Sequence, residues 1–375
     1  MDTMRLLTHI TTMMLLLLGI FSSAALATDL DIRFSKVFVD EAYYTQAVDL
    51  PLTAAHYPLQ ATTFRWLRYS SAYSVMLPDV CMECDWDFEE LVDTMGGPPT
   101  HVSSNETDPY WDELAHVVEM QRLRQEGVEP STIMPLPDLW KNLSIEQVAE
   151  NVHNEYPGIH HVALITEMDK AKAIETDYNV IPYVSNVEFV RGLVMLADLA
   201  TWAIARVGPS NFGVKYFVGR ARPEEVAYKI DQGEITVGPP PDLVDAIKAL
   251  NLTSAESFTA YPEGSPMHPS WPAMHSASSA SSLWLAVVLD LTPKQWCQVK
   301  LTDYAVSYAR TVAGVHYVSD NIAGLELGQE IVARRLPDYL NAKYGSSKSR
   351  VEKKINAVRF EWKDFLESDC ALGLV

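Results

Sequence analysis

Pro272-Ala-Met-His-Ser-Ala-Ser-Ser-Ala-Ser-Ser-Leu-Trp-Leu-Ala-Val-Val288 is the stretch that decides the architecture. Proline suits the first turn of a helix. The small residues that follow allow close approach to neighbouring elements, and the apolar run from Leu283 needs a core around it. The stretch predicts one buried helix beginning just past Pro272. Downstream, Leu301 to Val315 and Ile322 to Leu336 predict further helices. Upstream, Pro262, Pro266, Pro269 and Pro272 punctuate a loop from Tyr261, and Pro239-Pro240-Pro241 breaks the chain again. Val187 to Val207 predicts a strong helix stopped by Gly208-Pro209-Ser210. Ser144-Ile-Glu-Gln147 carries the capping-box pattern that opens a helix, and Asp29 to Val80 reads as two amphipathic segments around Pro51 and Pro58. Alternating strand-like runs are few and no internal repeat is present, so the prediction is an all-α bundle of about ten helices.

The chain of 375 residues, 48% of them hydrophobic, can bury a sizeable core. Its formal net charge of −20 repels nucleic acid and anionic membrane surfaces at long range, so an anion site must be built locally. Met1 to Ala27 combine Arg5, the apolar run Met13 to Phe21 and the small residues ending Ala25-Leu26-Ala27, the three-part layout of a secretory signal peptide. A membrane anchor is the rival reading, disfavoured by so short an apolar core. The expectation is export to the periplasm or the cell exterior, with no stable membrane insertion after cleavage. The domain plan is a leader at 1–27, a helical domain at 28–345 and a polar helical tail at 346–375. Within the domain, 28–185 form an N-terminal part and 186–345 the part that carries the site. Homo-oligomerisation is left open.

Four cysteines, Cys81, Cys84, Cys297 and Cys370, suit disulfides in an exported protein and allow three connectivities. Cys81-Met-Glu-Cys84 is a lone CxxC without the second ligand pair that zinc needs. Asn105, Asn142 and Asn251 fit the glycosylation acceptor pattern, which matters only in a eukaryotic source.

Three patterns stand in order in the second half: Lys215-x6-Arg222-Pro223, Pro272-Ala-Met-His275 and Arg310-x5-His316-x3-Asp320. Singly, the charges read as surface groups and the histidines as core residues. Together they assemble the donors that a tetrahedral oxyanion requires. Arg222 and Arg310 offer forked, charge-assisted hydrogen bonds and Lys215 a third positive charge. Backbone N–H groups at the start of the helix after Pro272 can add donors. His316 has a neutral imidazole lone pair suited to attack phosphorus or to ligate vanadium. Asp320, four residues on, shares its face if the helix begins at or before His316, and would then fix the imidazole tautomer. His275 is the candidate general acid or base.

From Lys215 to Gly328 the sequence resembles the vanadium haloperoxidases, within the superfamily they share with type-2 phosphatidic acid phosphatases. The resemblance implies a helical bundle of the acid phosphatase/vanadium haloperoxidase type, with vanadate as cofactor bonded to His316. It further implies oxyanion contacts from Lys215, Arg222, Arg310, Met274 and His275, acid–base chemistry at His275, and peroxide-driven oxidation of bromide or iodide in which Lys215 polarises bound peroxide. His268-Pro-Ser-Trp271 resembles a bromoperoxidase segment with an extra histidine seven residues before the acid–base one, which makes His268 and Trp271 halide-pocket candidates. Hydrogen peroxide and halide are then the small-molecule partners. The alternative is a secreted acid phosphatase acting on a phosphate ester, with His316 as nucleophile, and the third reading is a catalytically weak anion-binding remnant. The sequence departs from the usual P-S-G-H at Ala273 and Met274, and from S-R at Ala309. Each lost hydroxyl removes a hydrogen bond to a charged partner, about 1.5–3 kcal/mol.

Overall fold

A computed structural model describes residues 87–99, 109–154 and 187–375, apart from Glu263, Met267 and Ser281. The leader, Cys81, Cys84 and Asn105 lie outside the described residues. The chain is all-α. In order the helices are α1 (Phe88–Met95), α2 (Pro109–Glu126), α3 (Ile145–Asn154), α4 (Val187–Val218), α5 (Pro223–Asp231), α6 (Pro241–Ala249), α7 (Met274–Ala280), α8 (Leu283–Val288), α9 (Pro293–Val312), α10 (Val318–Tyr344) and α11 (Lys348–Val358).

Three apolar clusters fill the bundle. One joins Leu199 and Trp202 of α4 to Trp284 of α8, Leu327 and Ile331 of α10, and Ile355 of α11. A second holds Val148 of α3, Tyr304 and Val312 of α9, and Trp362 and Phe365 near the C-terminus. A third packs Leu114 of α2 on Val226 of α5 and Ile247 of α6, with Tyr317 and Phe258. Among the described residues no helix is long and apolar enough to cross a membrane.

Where the helices depart from the sequence prediction, local side chains or packing give the reason. The capping box at Ser144 forms as predicted, with Gln147 N donating to Ser144 Oγ and Ser144 N to Gln147 Oε1. The stop expected at Gly208-Pro209-Ser210 does not occur. Helix α4 runs through Pro209 to Val218, because Asn211, Val214 and Lys215 beyond it are wholly buried and that packing offsets the roughly 3 kcal/mol cost of an interior proline. The single helix expected from Ala273 to Val288 is two. Buried Asp303 of α9 accepts from Ser279 Oγ at 2.9 Å and from Ser282 Oγ at 2.6 Å, and these bonds anchor the chain where α7 and α8 part. Helix α9 starts earlier than expected, at Pro293 behind a capping box from Thr292 and Gln295, and ends at Val312. Helix α10 begins at Val318, so His316 stands outside it.

Two glycines bring α7 onto α10. A Cβ at Gly324 would lie 2.4 Å from the Ala273 carbonyl oxygen, and one at Gly328 would lie 2.0 Å from that of Ala277. Only glycine permits this approach, which sets the helix carrying His275 against the helix carrying Asp320. The C-terminal segment folds back on α10: Gln329 exchanges two hydrogen bonds with the Phe360 backbone, and Glu326 accepts from Trp362 N. A disulfide joins Cys297 of α9 to Cys370, one of the pairs the sequence allowed.

Candidate active site

Helix ends generate the spacing of the first and third patterns. Lys215 lies in the last turn of α4, and Gly219, at φ 71°, donates its N–H to the Lys215 carbonyl. Arg222 is then the N-cap of α5, with Pro223 in its first position. In the third pattern α9 closes in a Schellman turn: Gly314 (φ 81°) donates to Thr311 O, and Val315 donates to Arg310 O. His316 follows at once. Tyr317 caps α10, and Asp320 in its first turn accepts from Tyr317 N at 3.0 Å. The spacing R-x5-H-x3-D therefore encodes one helix stop and one helix start.

These ends converge on the loop His268–Pro272. Lys215 Nζ donates to the carbonyls of Pro269 (3.0 Å) and Ser270 (2.7 Å). Arg222 Nε donates to His268 O (2.9 Å) and its Nη1 to Val315 O (2.8 Å). Ser270 N reaches Arg220 O, and Ala273 N reaches Asp320 O. That last bond uses one of the backbone donors expected at the start of the helix.

His316 Nδ1 lies 3.1 Å from Asp320 Oδ2, and its Nε2 lies 3.4 Å from Arg222 Nη1. Asp320 is fully buried. Its Oδ2 also accepts from Ser270 Oγ, and its Oδ1 accepts from Arg220 Nη1 at 2.7 Å. Burial raises the Asp320 pKa, but Arg220, His316 and Ser270 outweigh it and hold the carboxyl well below the usual range. Burial, with Arg222 beside it, keeps His316 neutral by pushing its pKa well down. A neutral ring donating from Nδ1 to a carboxylate keeps a lone pair on Nε2.

All three cations of the patterns are buried. Burial lowers the pKa of Lys215 well below its ordinary value, that of Arg222 to about 10 and that of Arg310 to about 9. Arg310 Nη2 contacts Ala149 O at 3.4 Å, and its guanidinium carbon lies 5.5 Å from the centre of the Tyr261 ring. Its Nε and Nη1 are buried without a partner among the described residues. Such donors are costly unless something accepts from them, and a tetrahedral oxyanion fits that need.

His268 Nδ1 lies 3.1 Å from Arg222 Nη2, and its ring packs edge-on against Phe212 at 4.9 Å. Burial and the neighbouring charges of Lys215 and Arg222 keep it neutral. Trp271 is wholly buried in the apolar cluster with Trp284 and Leu327, so of the two halide candidates only His268 stands among these polar contacts. Met274 packs, partly buried, against Phe212 and Tyr216. His275 is half-buried in the first turn of α7. Ala273 is wholly buried and Ala309 lies in the α9 core.

The match to known families agrees with this arrangement of residues. Residues 194–336 match the model of the PAP2 superfamily. Members of the PAP2 superfamily are typically phosphatases or haloperoxidases. No curated protein matches the chain. Every residue of the three patterns lies inside the matched span.

Sequence reasoning missed Arg220, Glu113, Ser270 and Ser319. Arg220 Nη2 pairs with Glu113 Oε2 at 2.8 Å and its Nη1 with Ser319 Oγ at 2.8 Å. Its guanidinium lies 3.8 Å above the Tyr317 ring. Arg220 was visible inside the first pattern as a second arginine. Glu113, on α2 and far away in sequence, gave no signal.

Proposed function

We propose that the PAP2 domain holds vanadate and oxidises halide with hydrogen peroxide. The residues that would hold the anion are Lys215, Arg222 and Arg310 through its oxygens, and His316 through Nε2. When bound, vanadate activates peroxide as a two-electron oxidant of halide. The protein's own groups do the rest. Asp320 keeps the His316 proton on Nδ1, which leaves Nε2 free to bond. Lys215 spends two N–H bonds on carbonyls and keeps one donor for an oxygen. His275, in the first turn of α7, would exchange a proton with the bound anion.

The observation that carries the peroxidase reading is His268. Phosphoryl transfer needs a nucleophile and an acid, which His316 and His275 supply. A third, neutral imidazole, edge-on to Phe212 with its Nδ1 within reach of both Arg222 Nη2 and the Pro269 carbonyl, is a polar group that neither step uses and that suits a small polarisable anion.

One purified protein assayed two ways tests the proposal. Bromide or iodide oxidation is expected only after orthovanadate is supplied, and is expected to be blocked by phosphate added first, since both anions share charge and shape. Hydrolysis of a phosphomonoester without vanadate, and no halide oxidation with it, would assign the chain to the phosphatases instead. Elemental analysis would not separate the two, because vanadate also occupies phosphatase sites.

A further inference from the structure

We propose that Arg220 and Glu113 are positioning residues for the His316–Asp320 pair, Glu113 fixing Arg220 and Arg220 fixing the carboxylate that orients the imidazole. This makes α2, which lies outside residues 194–336, a working part of the site. It rests on the reading that turnover runs through His316.

The argument starts from how the Asp320 oxygens are used. Oδ2 takes three donors, His316 Nδ1, Tyr317 N and Ser270 Oγ, whereas Oδ1 has the Arg220 bond. Three donors on one oxygen hold that oxygen in place but do not fix the plane of the carboxylate. The second oxygen does, and Arg220 holds it. Arg220 in turn is held on two sides and one face. Nη2 meets Glu113, Nη1 also meets Ser319 Oγ, and the guanidinium plane lies over Tyr317. Glu113 closes the circuit, because its Oε1 accepts from Ser319 N at 2.7 Å and its Oε2 from Ser319 Oγ at 2.8 Å, both in the first turn of α10. A planar, forked cation between two carboxylates is a geometry that lysine cannot reproduce.

Releasing Oδ1 lets the carboxylate turn and loosens the bond from His316 Nδ1. The neutral ring is then free to place its proton on Nε2, which removes the lone pair from the side that faces Arg222. The rival is that Arg220 only braces the fold, as buried ion pairs can.

The test uses the full chain with isotope-labelled histidine in three variants, Arg220→Met, Arg220→Lys and Glu113→Gln, each checked for folded fraction by circular dichroism. Proton–nitrogen correlation spectra, assigned with His316→Gln, read the His316 tautomer. The parent is expected to show Nδ1 protonated and Nε2 bare. Arg220→Met and Glu113→Gln are expected to populate the second tautomer and to lower kcat about tenfold or more while KM stays within about threefold. Arg220→Lys is expected to fall between them and the parent. If Arg220→Met does not fold, Glu113→Gln decides alone, since the Glu113 side chain is 16% exposed and tolerates the change. A tautomer that stays single in a folded variant, or a rate loss that only follows the folded fraction, overturns the proposal. The spectra require no turnover, so a chain that neither oxidises halide nor hydrolyses a phosphoester sinks the functional reading and leaves this test standing.

Discussion

His316 Nδ1 and Asp320 Oδ2 meet at 3.1 Å across the N-cap of α10 rather than along a helix face. An N-terminal carboxylate that folds back to the capping residue reaches the residue before it as well, so the four-residue spacing works although His316 is not helical. Asp320 is thereby both a cap and a tautomer lock. The two histidines of the site are then expected to fail differently. His316→Ala should abolish vanadate binding and turnover together, whereas His275→Ala should keep anion binding within about tenfold and lose most turnover. Calorimetry beside rate measurement checks this, and equal loss of binding in both variants would refute the division of roles.

Arg310 should cost the empty protein stability and give the bound one affinity. Its Nε and Nη1 are buried without partners among the described residues, so Arg310→Met is expected to raise the melting temperature in anion-free buffer, as replacement of buried charge by apolar volume often does. The same variant should bind phosphate at least about tenfold more weakly, the loss of one charge-assisted hydrogen bond. For the parent, phosphate at a hundred times its Kd should add about 2.7 kcal/mol of stability. A thermal shift that is equal in parent and variant would remove Arg310 from the anion site.

Stability should fall as the solution is acidified from neutrality. Burial holds the pKa of both His316 and His268 below the ordinary 6.5. Below that value the unfolded chain takes up protons that the native state refuses, and the stability these groups confer is lost as pH falls. Asp320, held below 3.8, adds its own loss at still lower pH. Two such histidines give a slope of up to roughly 2.7 kcal/mol per pH unit. Denaturant titrations between neutral and mildly acidic pH measure it, and His268→Gln should flatten the slope; an unchanged slope would mean that His268 is not held neutral by the fold.

Gly328→Ala should be among the most damaging single changes. Its new Cβ would stand 2.0 Å from the Ala277 carbonyl oxygen, a backbone atom with nowhere to go. Forcing α7 off α10 is expected to cost about 1–3 kcal/mol or more and to move His275 relative to His316. Gly314→Ala should cost stability for a second reason, since that position is left-handed at φ 81° and closes the turn before His316. A Gly328→Ala protein with parental melting temperature would disprove the close contact.

Opening Cys297–Cys370 should loosen the whole domain rather than the tail alone. The bridge spans 73 residues of sequence, and a loop of that length gives about 4 kcal/mol in the chain-entropy account. Cys370→Ser is expected to lower the unfolding midpoint accordingly and to leave KM for halide unchanged. A midpoint unaffected by reductant and by the substitution would show the bridge to be dispensable.

The helical class and the cationic and imidazole residues were legible in the sequence by itself, because helix periodicity is a local property and because the site residues sit at helix ends whose spacing is local too. Lys215 to Arg222 and Arg310 to Asp320 are each one turn-and-cap unit, so the chain carries them as short patterns. Where only long-range packing decides, the same reasoning stopped short. Helix α4 continues through Pro209 because burial of Asn211 and Lys215 outweighs the proline's local cost, and the helix expected through Ser282 parts where Asp303 draws in two hydroxyls from another element. Trp271 looked like a pocket residue from its place beside His268 and lies in the core. The Glu113–Arg220–Asp320 chain joins residues a hundred or more positions apart, and only the tertiary structure could bring them together, since it needs α2, the turn between α4 and α5 and the start of α10 side by side, which no pattern within any one of them specifies.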